Sequence, residues 1–328
     1  MTSSEKFTAL FKPLQIGDIM IKNRITMSAL TRNRAVNTYP TELMKEYYLQ
    51  RVRGDTGLIV TEGILVSRQG TEWPLAPGIW DDKHVEGWKN IVDAVHQEGG
   101  KIYAQLWHVG RVAHPDAPEQ KLSGTPVYAP SAISARGGKF RHIHGVPGYV
   151  TPTAIDDPRI IIAQFKHAAV NAKRAGFDGV EFPLGVTTTM PLDETIATYS
   201  YFITEADKLG LSYFALYRYV PTDQFHVSFE GVLRATAHDV VGTFRPYIKN
   251  AKVIVNSGVT AEEGELLVRE GHADAIAIGF DFITHPDLAK RVAHGYPLDN
   301  VPDIPHLQTN KASTDFATGY TDYPFADL

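Results

Sequence analysis

The stretch AGFDGVEFPLGVTTTMPL, residues 175–192, decides how the rest of the chain is interpreted. Ala175-Gly176 is typical of a helix end, and residues 178–182 (DGVEF) are typical of a short buried strand. In a barrel of alternating strands and helices, catalytic side chains lie just past the strand ends. Here that place holds Pro183 and then three threonines at 187–189, none of which exchanges protons readily near neutral pH. The strand suits a barrel enzyme, whereas the residues after it do not.

The composition is that of an ordinary globular protein. The 328 residues are 43% hydrophobic and 21% charged, which is enough for a large core. This length suits one α/β barrel or two smaller domains. The formal net charge is -5 and there is no long basic run, so nucleic acid is not an expected partner.

Cysteine content and hydropathy exclude several further classes of protein. The sequence contains no cysteine, which excludes disulfides, thiolate catalysis and cysteine-ligated metals. No apolar run approaches the roughly 18 residues of a membrane span. Residues 1–18 lack the apolar core of a signal peptide. We therefore expect a cytoplasmic protein that does not enter a membrane.

Strands and helices alternate along the chain. Helical periodicity runs, for example, over residues 83–98, with Asp82 as the candidate N-cap. Such alternation predicts parallel strands joined by right-handed crossovers. A long segment rich in Gly, Pro and Ser, residues 109–156, follows the third strand, and loops of this length are usually lids or binding loops. The predicted strands lie near residues 25, 59, 104, 180, 214, 254 and 276.

Seven strands are one fewer than a closed barrel of this type needs. The shortage has a location, because the connection between Phe182 and the helix at Asp193 is too short to hold a strand with its helix. The predicted fold is therefore an α/β, TIM-type barrel that lacks one βα unit after the fourth strand. We expect it to form a single domain over residues 1–328.

A series of short motifs runs in order along nearly the whole chain: LFKPL at 10–14, KNRI at 22–25, LTRNRA at 30–35, TEG at 61–63, APGIW at 76–80, AQLWHVGR at 104–111, AGFDGVE at 175–181, HPDL at 285–288 and GYTDYP at 319–324. The series resembles the Old Yellow Enzyme ene-reductases. Within that family it is most similar to the fungal branch acting on chanoclavine-I aldehyde in ergot (clavine) alkaloid biosynthesis. The resemblance implies FMN as cofactor, NADPH as reductant, and hydride transfer from the flavin to an enal, an enone or an alkaloid intermediate.

The resemblance also implies a flavin-binding surface. Thr31 would hydrogen-bond a flavin carbonyl, Gly63 would allow close approach of the isoalloxazine, and Gln105 would pair with its pyrimidine edge. Backbone N–H groups near Gly258 and Gly279 suit an anion such as a phosphate. The predicted FMN contacts are Ser28, Ala29, Thr31, Gly63, Gln105, Gly258 and Gly279.

Three aromatic residues, Trp73, Trp107 and Tyr320, correspond to positions that wall the substrate pocket in the family. Plain aromatic packing is the alternative interpretation for all three. His108 follows a strand, but the catalytic histidine of the family does not lie there. The pair His142 and His144 lacks a third ligand, so a surface loop is expected there and no metal site is predicted.

The sequence departs from the family where the family does its chemistry. After the fourth strand the family has a His-x-x-x-Gly-Tyr pattern, but here the first His is replaced by Pro183 and no Gly-Tyr follows. The carbonyl-binding pair and the proton-donating Tyr are thus absent, and no catalytic residue is predicted. The family's fifth strand, which carries an Arg or Lys against the flavin, is absent as well. The loss amounts to about 40–55 residues, one βα unit and a loop.

A second departure is independent of the first. The last strand of the family commonly ends in Gly-Arg, and the arginine grips the FMN phosphate, whereas here Gly279 is followed by Phe280. A guanidinium bonds phosphate in a charged, bidentate manner that phenylalanine cannot reproduce. FMN binding is therefore expected to be weakened.

These departures leave three interpretations. The first is an inactive or impaired FMN-dependent ene-reductase, which we favour because two independent departures support it. The second is an active flavin-dependent reductase or isomerase in which Tyr199, Tyr201 or His108 donates the proton, or in which no donor is needed. The third is a non-catalytic protein that binds a small molecule. A homo-oligomer is one option in each case.

Overall fold

A computed structural model describes residues 6–71, 73–135, 143, 148–183, 190–220, 228–229, 232–233, 237–308 and 315–327. Short 3₁₀ turns lie at Gly110–Val112, Arg245–Tyr247 and Ile304–His306. In chain order the helices and strands are β1 Leu14–Ile16, β2 Ile19–Ile21, β3 Ile25–Met27, α1 Glu42–Arg53, β4 Leu58–Leu65, α2 Asp82–Gln97, β5 Ile102–Trp107, α3 Pro118–Ser123, β6 Tyr128–Ala129, β7 Thr153–Ala154, α4 Arg159–Arg174, β8 Gly179–Glu181, α5 Leu192–Asp207, β9 Tyr213–Tyr217, β10 Ser228–Phe229, β11 Val232–Leu233, α6 Val240–Phe244, β12 Lys252–Asn256, α7 Ala261–Arg269, β13 Ala275–Ile278, α8 Phe280–Thr284 and α9 Leu288–His294.

Seven parallel strands form one curled sheet in the order β8-β5-β4-β3-β13-β12-β9. They are the seven strands predicted from the sequence, and the predicted α/β barrel class is confirmed. The two outermost strands are β8 and β9, which are consecutive members of this sheet along the chain. In the part of the chain that the structure describes, no strand pairs with their outer sides. The opening, which we call the seam, therefore lies where the sequence lacks its βα unit.

Side chains bridge the seam where backbone pairing is missing. The hydroxyl of Tyr213 on β9 donates a hydrogen bond to the carboxylate of Glu181 on β8, with 2.7 Å between the oxygens. The ring of Tyr103, on β5, lies 5.9 Å from that of Tyr213. It reaches there across Gly179, where a Cβ would come within 2.4 Å of the tyrosine ring. The glycine on β8 thus leaves the space that Tyr103 needs to reach β9.

The N-terminal hairpin closes one end of the barrel. Its residues Leu14, Ile16 and Ile21 are buried in one cluster with Leu58, at the start of β4, and Ala275, at the start of β13. The hairpin therefore covers the amino ends of the strands. The carboxyl ends, where barrel enzymes place their active sites, lie at the opposite end.

The helices bury the apolar stripes that their periodicity predicts. In α2 the buried residues include Val85, Trp88 and Val95. The predicted cap of this helix was wrong by one residue: Asp81 is the N-cap, and its carboxylate accepts a hydrogen bond from the backbone N–H of His84 at 2.9 Å. Asp82 is instead the first helical residue, since Asp81 has the extended backbone that a capping residue adopts.

We predict that Tyr213→Phe weakens the seam. The substitution keeps the ring but removes a donor from the partly buried Glu181 carboxylate, so we expect the free energy of unfolding to fall by about 1–3 kcal/mol. Urea denaturation followed by circular dichroism measures this change. The control is Tyr296→Phe, at a ring that is 37% exposed, and it should change stability by less than about 0.5 kcal/mol. Equal stability of the two variants would mean that the Tyr213–Glu181 bond does not hold the edges together.

Candidate functional site

The candidate site lies at the carboxyl ends of β4, β5 and β8. The strand register places Gly63 beside Gln105 and Gln105 beside Glu181. A shift in the pairing between Val60 and Gly63 creates this alignment. The structure thus brings two predicted flavin contacts, Gly63 and Gln105, to one level of the barrel.

Gln105 has a protein partner in this structure. Its side chain is almost completely buried, and its amide Nε2 donates to Glu181 Oε1 at 2.7 Å. The other carboxylate oxygen of Glu181 accepts the hydroxyl of Tyr213. Burial raises the pKa of the Glu181 carboxyl, and the two donated hydrogen bonds oppose that effect. The amide predicted to pair with the edge of the flavin therefore belongs to a partly buried network of Gln105, Glu181 and Tyr213.

Sequence reasoning did not assign Glu181 and Tyr213 to the site. The sequence does contain a signal for Glu181, because an acidic residue inside an apolar strand needs buried partners. No comparable signal marked Tyr213, whose aromatic ring is typical of strands in general.

A second polar network occupies the end of β3. The Ser28 hydroxyl accepts a hydrogen bond from Asn256 Nδ2 at 2.8 Å, and Asn256 Oδ1 accepts the backbone N–H of Ser257 at 2.7 Å. The Tyr217 hydroxyl bonds to the Ser28 and Asn256 side chains, and burial raises its pKa to about 12. Ala29 follows this network and is half-buried. Asn256 and Tyr217 were not predicted as site residues.

The close approach predicted at Gly63 is made by a tryptophan. A Cβ at Gly63 would lie 2.5 Å from Cε3 of Trp107, so the indole sits directly over this glycine. Trp73 lies next to it, with ring centroids 6.2 Å apart at 47°. These two predicted pocket residues are thus neighbours in one small apolar cluster with Leu65 and Ala76.

Tyr320, the third predicted pocket residue, lies elsewhere. It is fully buried in the main core, with its ring stacked on Tyr47 at 4.1 Å and 7°. The guanidinium of Arg34 lies 4.8 Å from the centre of the Tyr320 ring. Arg32 donates to the carbonyl of the preceding residue, Gly319. The structure therefore places Tyr320 at the point where two arginines fasten the C-terminal segment.

The predicted phosphate end contains one arginine, which was not predicted. Gly258 has a left-handed backbone with a φ of 62°. Arg218 donates from Nη2 to the Gly258 carbonyl at 2.8 Å, and the same nitrogen lies 2.9 Å from Oε2 of Glu263. Its charge is therefore already paired. Gly279 precedes the short helix α8, and the Phe280 side chain that follows is 46% exposed.

The structure also places Thr31, a predicted FMN contact, and Pro183, which stands where the family has a histidine. Thr31 is half-buried after β3, and Pro183 is exposed after β8. The threonines at 187–189 lie outside the described residues, as do His142 and His144. Among the residues that are described, no group of three His, Asp or Glu side chains is placed to hold a metal ion. No described helix has both the length and the apolar composition needed to cross a membrane.

The proposed substitute proton donors do not meet at the strand ends. His108 Nε2 lies 2.9 Å from Gln69 Oε1, and its Nδ1 accepts the backbone N–H of Gly110. Burial lowers the pKa of His108 to about 4, so the ring is neutral at physiological pH. Tyr199 packs edge-on against Phe244 of α6. The side chain of Tyr201 is 72% exposed on α5.

FMN does not fit the described residues in the manner that the resemblance implies. At the ring end, the Gln105 amide is held by Glu181, and an indole covers Gly63. At the phosphate end, Phe280 stands where an arginine is expected. Since both ends of the cofactor would lose contacts, the geometry supports no reaction step through a flavin.

The comparisons with known proteins agree with this fold. The model of the NADH:flavin oxidoreductase / NADH oxidase family matches residues 9–183. The chain belongs to this family. It is 30% identical over 370 residues to a 12-oxophytodienoate reductase-like protein of Solanum lycopersicum, covering 99% of each chain. It is also 30% identical over 371 residues to the chanoclavine-I aldehyde reductase fgaOx3 of Penicillium roqueforti (strain FM164), covering 97% of each chain.

A solved member of the family has the same architecture. Morphinone reductase superposes with a TM-score of 0.80 at 29% identity, covering 97% of this chain and 96% of that chain. The predicted resemblance to Old Yellow Enzymes, and to the fungal chanoclavine-I aldehyde branch, is thereby confirmed.

The alignments with family members also show the predicted shortage of residues in this chain. The alignment with the Solanum lycopersicum protein spans 370 residues and this chain has 328, so at least 42 aligned positions hold no residue of this chain. That number agrees with the loss of about 40–55 residues expected for one βα unit and a loop. The seam between β8 and β9 is the structural counterpart of such a loss.

One buried acid beside the site has an unusual pKa. Glu62 precedes Gly63 on β4, and its carboxylate accepts the backbone N–H of Asn33 at 3.3 Å. Burial raises the pKa of Glu62 to about 7, although the nearby Arg32 and Arg34 act in the opposite direction. The folded protein therefore keeps a proton on Glu62 at pH values where the unfolded chain has released it.

This raised pKa predicts a pH-dependent stability. Between the unfolded pKa of about 4.3 and the folded value, the folded state binds more protons, so the stability falls as pH rises. From about pH 5 to about pH 8 the protein should lose on the order of 2–3 kcal/mol relative to Glu62→Gln. Urea denaturation at several pH values measures the difference. The exposed control Glu86→Gln should follow the unsubstituted protein, and parallel pH profiles for all three proteins would contradict the prediction.

Proposed function

We propose that this chain is a catalytically inactive or strongly impaired member of the NADH:flavin oxidoreductase family. The observation that carries the proposal is the Gln105–Glu181–Tyr213 network at the seam. It joins the two edge strands where a fifth strand is missing, and it engages one N–H of the amide that the resemblance assigns to the cofactor.

The chemistry at the end of β8 supports the same proposal. Reduction of an enal or enone by the family route develops negative charge on the carbonyl oxygen, which hydrogen-bond donors must stabilise. Pro183 has no side-chain donor and no backbone N–H, so it cannot replace a histidine in this role. The α-carbon also needs a proton donor. A neutral His108 and the two α5 tyrosines are poorly suited to that task, which weighs against the rerouted-donor interpretation.

The ancestral substrate class follows from similarity alone. We infer that the ancestor reduced an α,β-unsaturated carbonyl compound, with an alkaloid aldehyde as one candidate because of the similarity to a chanoclavine-I aldehyde reductase. NADPH, the expected reductant, would have no bound flavin to reduce in this chain.

We expect the purified protein to be colourless and to leave the visible spectrum of added FMN unchanged. With NADPH and a simple enal it should show no oxidation of NADPH above background, whereas morphinone reductase serves as the positive control for the flavin band. A protein-perturbed flavin band together with turnover would overturn the proposal. Binding of the enal without FMN would instead support the ligand-binding interpretation.

A variant that restores FMN binding distinguishes the loss of cofactor binding from the loss of catalytic residues. Phe280→Arg supplies a guanidinium at the expected phosphate position and should tighten FMN binding by about 2 kcal/mol, roughly 30-fold. Quenching of FMN fluorescence on titration measures the affinity, and Phe280→Leu is the control with no added charge. NADPH oxidation should remain absent in both variants, because Pro183 is unchanged. Turnover by Phe280→Arg would show that the arginine was the only missing element.

A further inference from the structure

The two helices that flank the seam carry opposite charges. Helix α4, which precedes β8, contains four basic residues and no acidic one, namely Arg159, Lys166, Lys173 and Arg174. Helix α5, which precedes β9, contains four acidic residues and no basic one, namely Asp193, Glu194, Glu205 and Asp207. Among the described residues, no ion pair joins the two helices.

One flank of α4 is occupied by its neighbour α2 and the loop before it. Asn171 Nδ2 donates to the Ile79 carbonyl at 2.8 Å, and Arg174 Nη2 pairs with Asp82 at 2.8 Å. Because α4 uses this flank toward α2, the unit that would follow in a complete barrel must lie along its opposite flank.

The opposite flank of α4 faces the seam. The ring of Phe165 packs on that of Phe182, just past the edge strand β8, at 5.7 Å. Ile162, Lys166 and Lys173 share the exposed face of the helix next to Phe165, by helical spacing. Ile162 is 61% exposed and Phe182 is 49% exposed, so the flank is apolar, basic and open.

Helix α5 presents an acidic surface with exposed aromatic rings. Its core-facing residues include Ile203 and Ala206, whereas Tyr201 and Phe202 are exposed. Glu194 and Glu205 are exposed too, and Glu205 also pairs with Lys208, just past the helix, at 2.6 Å. Asp207 is different, because its carboxylate is buried and accepts backbone N–H groups from residues 249–251.

We propose that a second copy of this chain covers the seam, with α4 of each copy against α5 of the other. A two-fold axis relates the two copies, so the basic helix of each copy meets the acidic helix of the other. The two contacts are therefore equivalent. The apolar residues on both helices supply burial, and the opposite charges select this partner and orientation. The surface that covers the seam is thus the same surface of a second copy.

The test is the mass of the protein in solution, measured by light scattering after gel filtration and by sedimentation velocity over a range of concentrations. We expect a dimer that weakens as salt is raised. Lys166→Glu/Lys173→Glu should raise the dimer dissociation constant at least about tenfold, and Glu194→Lys/Glu205→Lys should do the same. The chain carrying all four substitutions should dimerise again, because the opposite charges are restored in exchanged positions.

Controls keep this test decisive. Lys121→Glu, on α3 with a side chain that is 62% exposed, removes a cation without touching the seam and should leave the dimer unchanged. Circular dichroism must show that each variant is folded, and Tyr201→Ser gives an uncharged route to weaken the same interface. A monomeric unsubstituted protein at all concentrations, or a charge exchange that does not restore association, would overturn the proposal. Neither result depends on whether the protein binds FMN.

Discussion

The carboxylate of Glu181 is the interaction on which the rest of this barrel depends. A sheet of seven parallel strands leaves two edges with unpaired backbone groups, and such edges are liable to pair with other chains. Here Glu181 accepts the Tyr213 hydroxyl from across the seam and the Gln105 amide from the neighbouring strand. One partly buried acid thereby links three strands. The same link engages one N–H of the Gln105 amide, which the family resemblance places at the ring end of the cofactor surface.

The two departures from the family act at opposite ends of the cofactor surface. At the ring end, Gln105 bonds to Glu181 and an indole lies over Gly63. The exchange of arginine for Phe280 affects the phosphate end. Neither change requires the other, so the two departures are independent arguments for the proposed loss of function.

Packing away from Glu181 stabilises the barrel further. The N-terminal hairpin closes the amino end of the barrel, and α2 buries its apolar stripe in the main core. Arg32 and Arg34 hold the C-terminal segment through its backbone carbonyls and stack against the fully buried Tyr320. The hairpin cluster also includes Tyr103 and Tyr213, so it supports both sides of the seam. The apolar burial that drives folding is therefore retained although one barrel unit is missing.

The sequence by itself determined the strand count, the parallel α/β class and the position of the missing unit; together with the family resemblance, it also showed that Pro183 and Phe280 stand where the family has a histidine and an arginine. These features follow from local properties of the sequence, namely its apolar runs, connection lengths and residue identities. Only the tertiary structure decided that Gln105 bonds to Glu181, 76 residues away, and that Trp107 lies over Gly63. Likewise, only the structure separated Tyr320 from the two tryptophans. The physical reason is that a side chain's partner depends on strand register and sheet curvature, which bring together residues that share no local pattern.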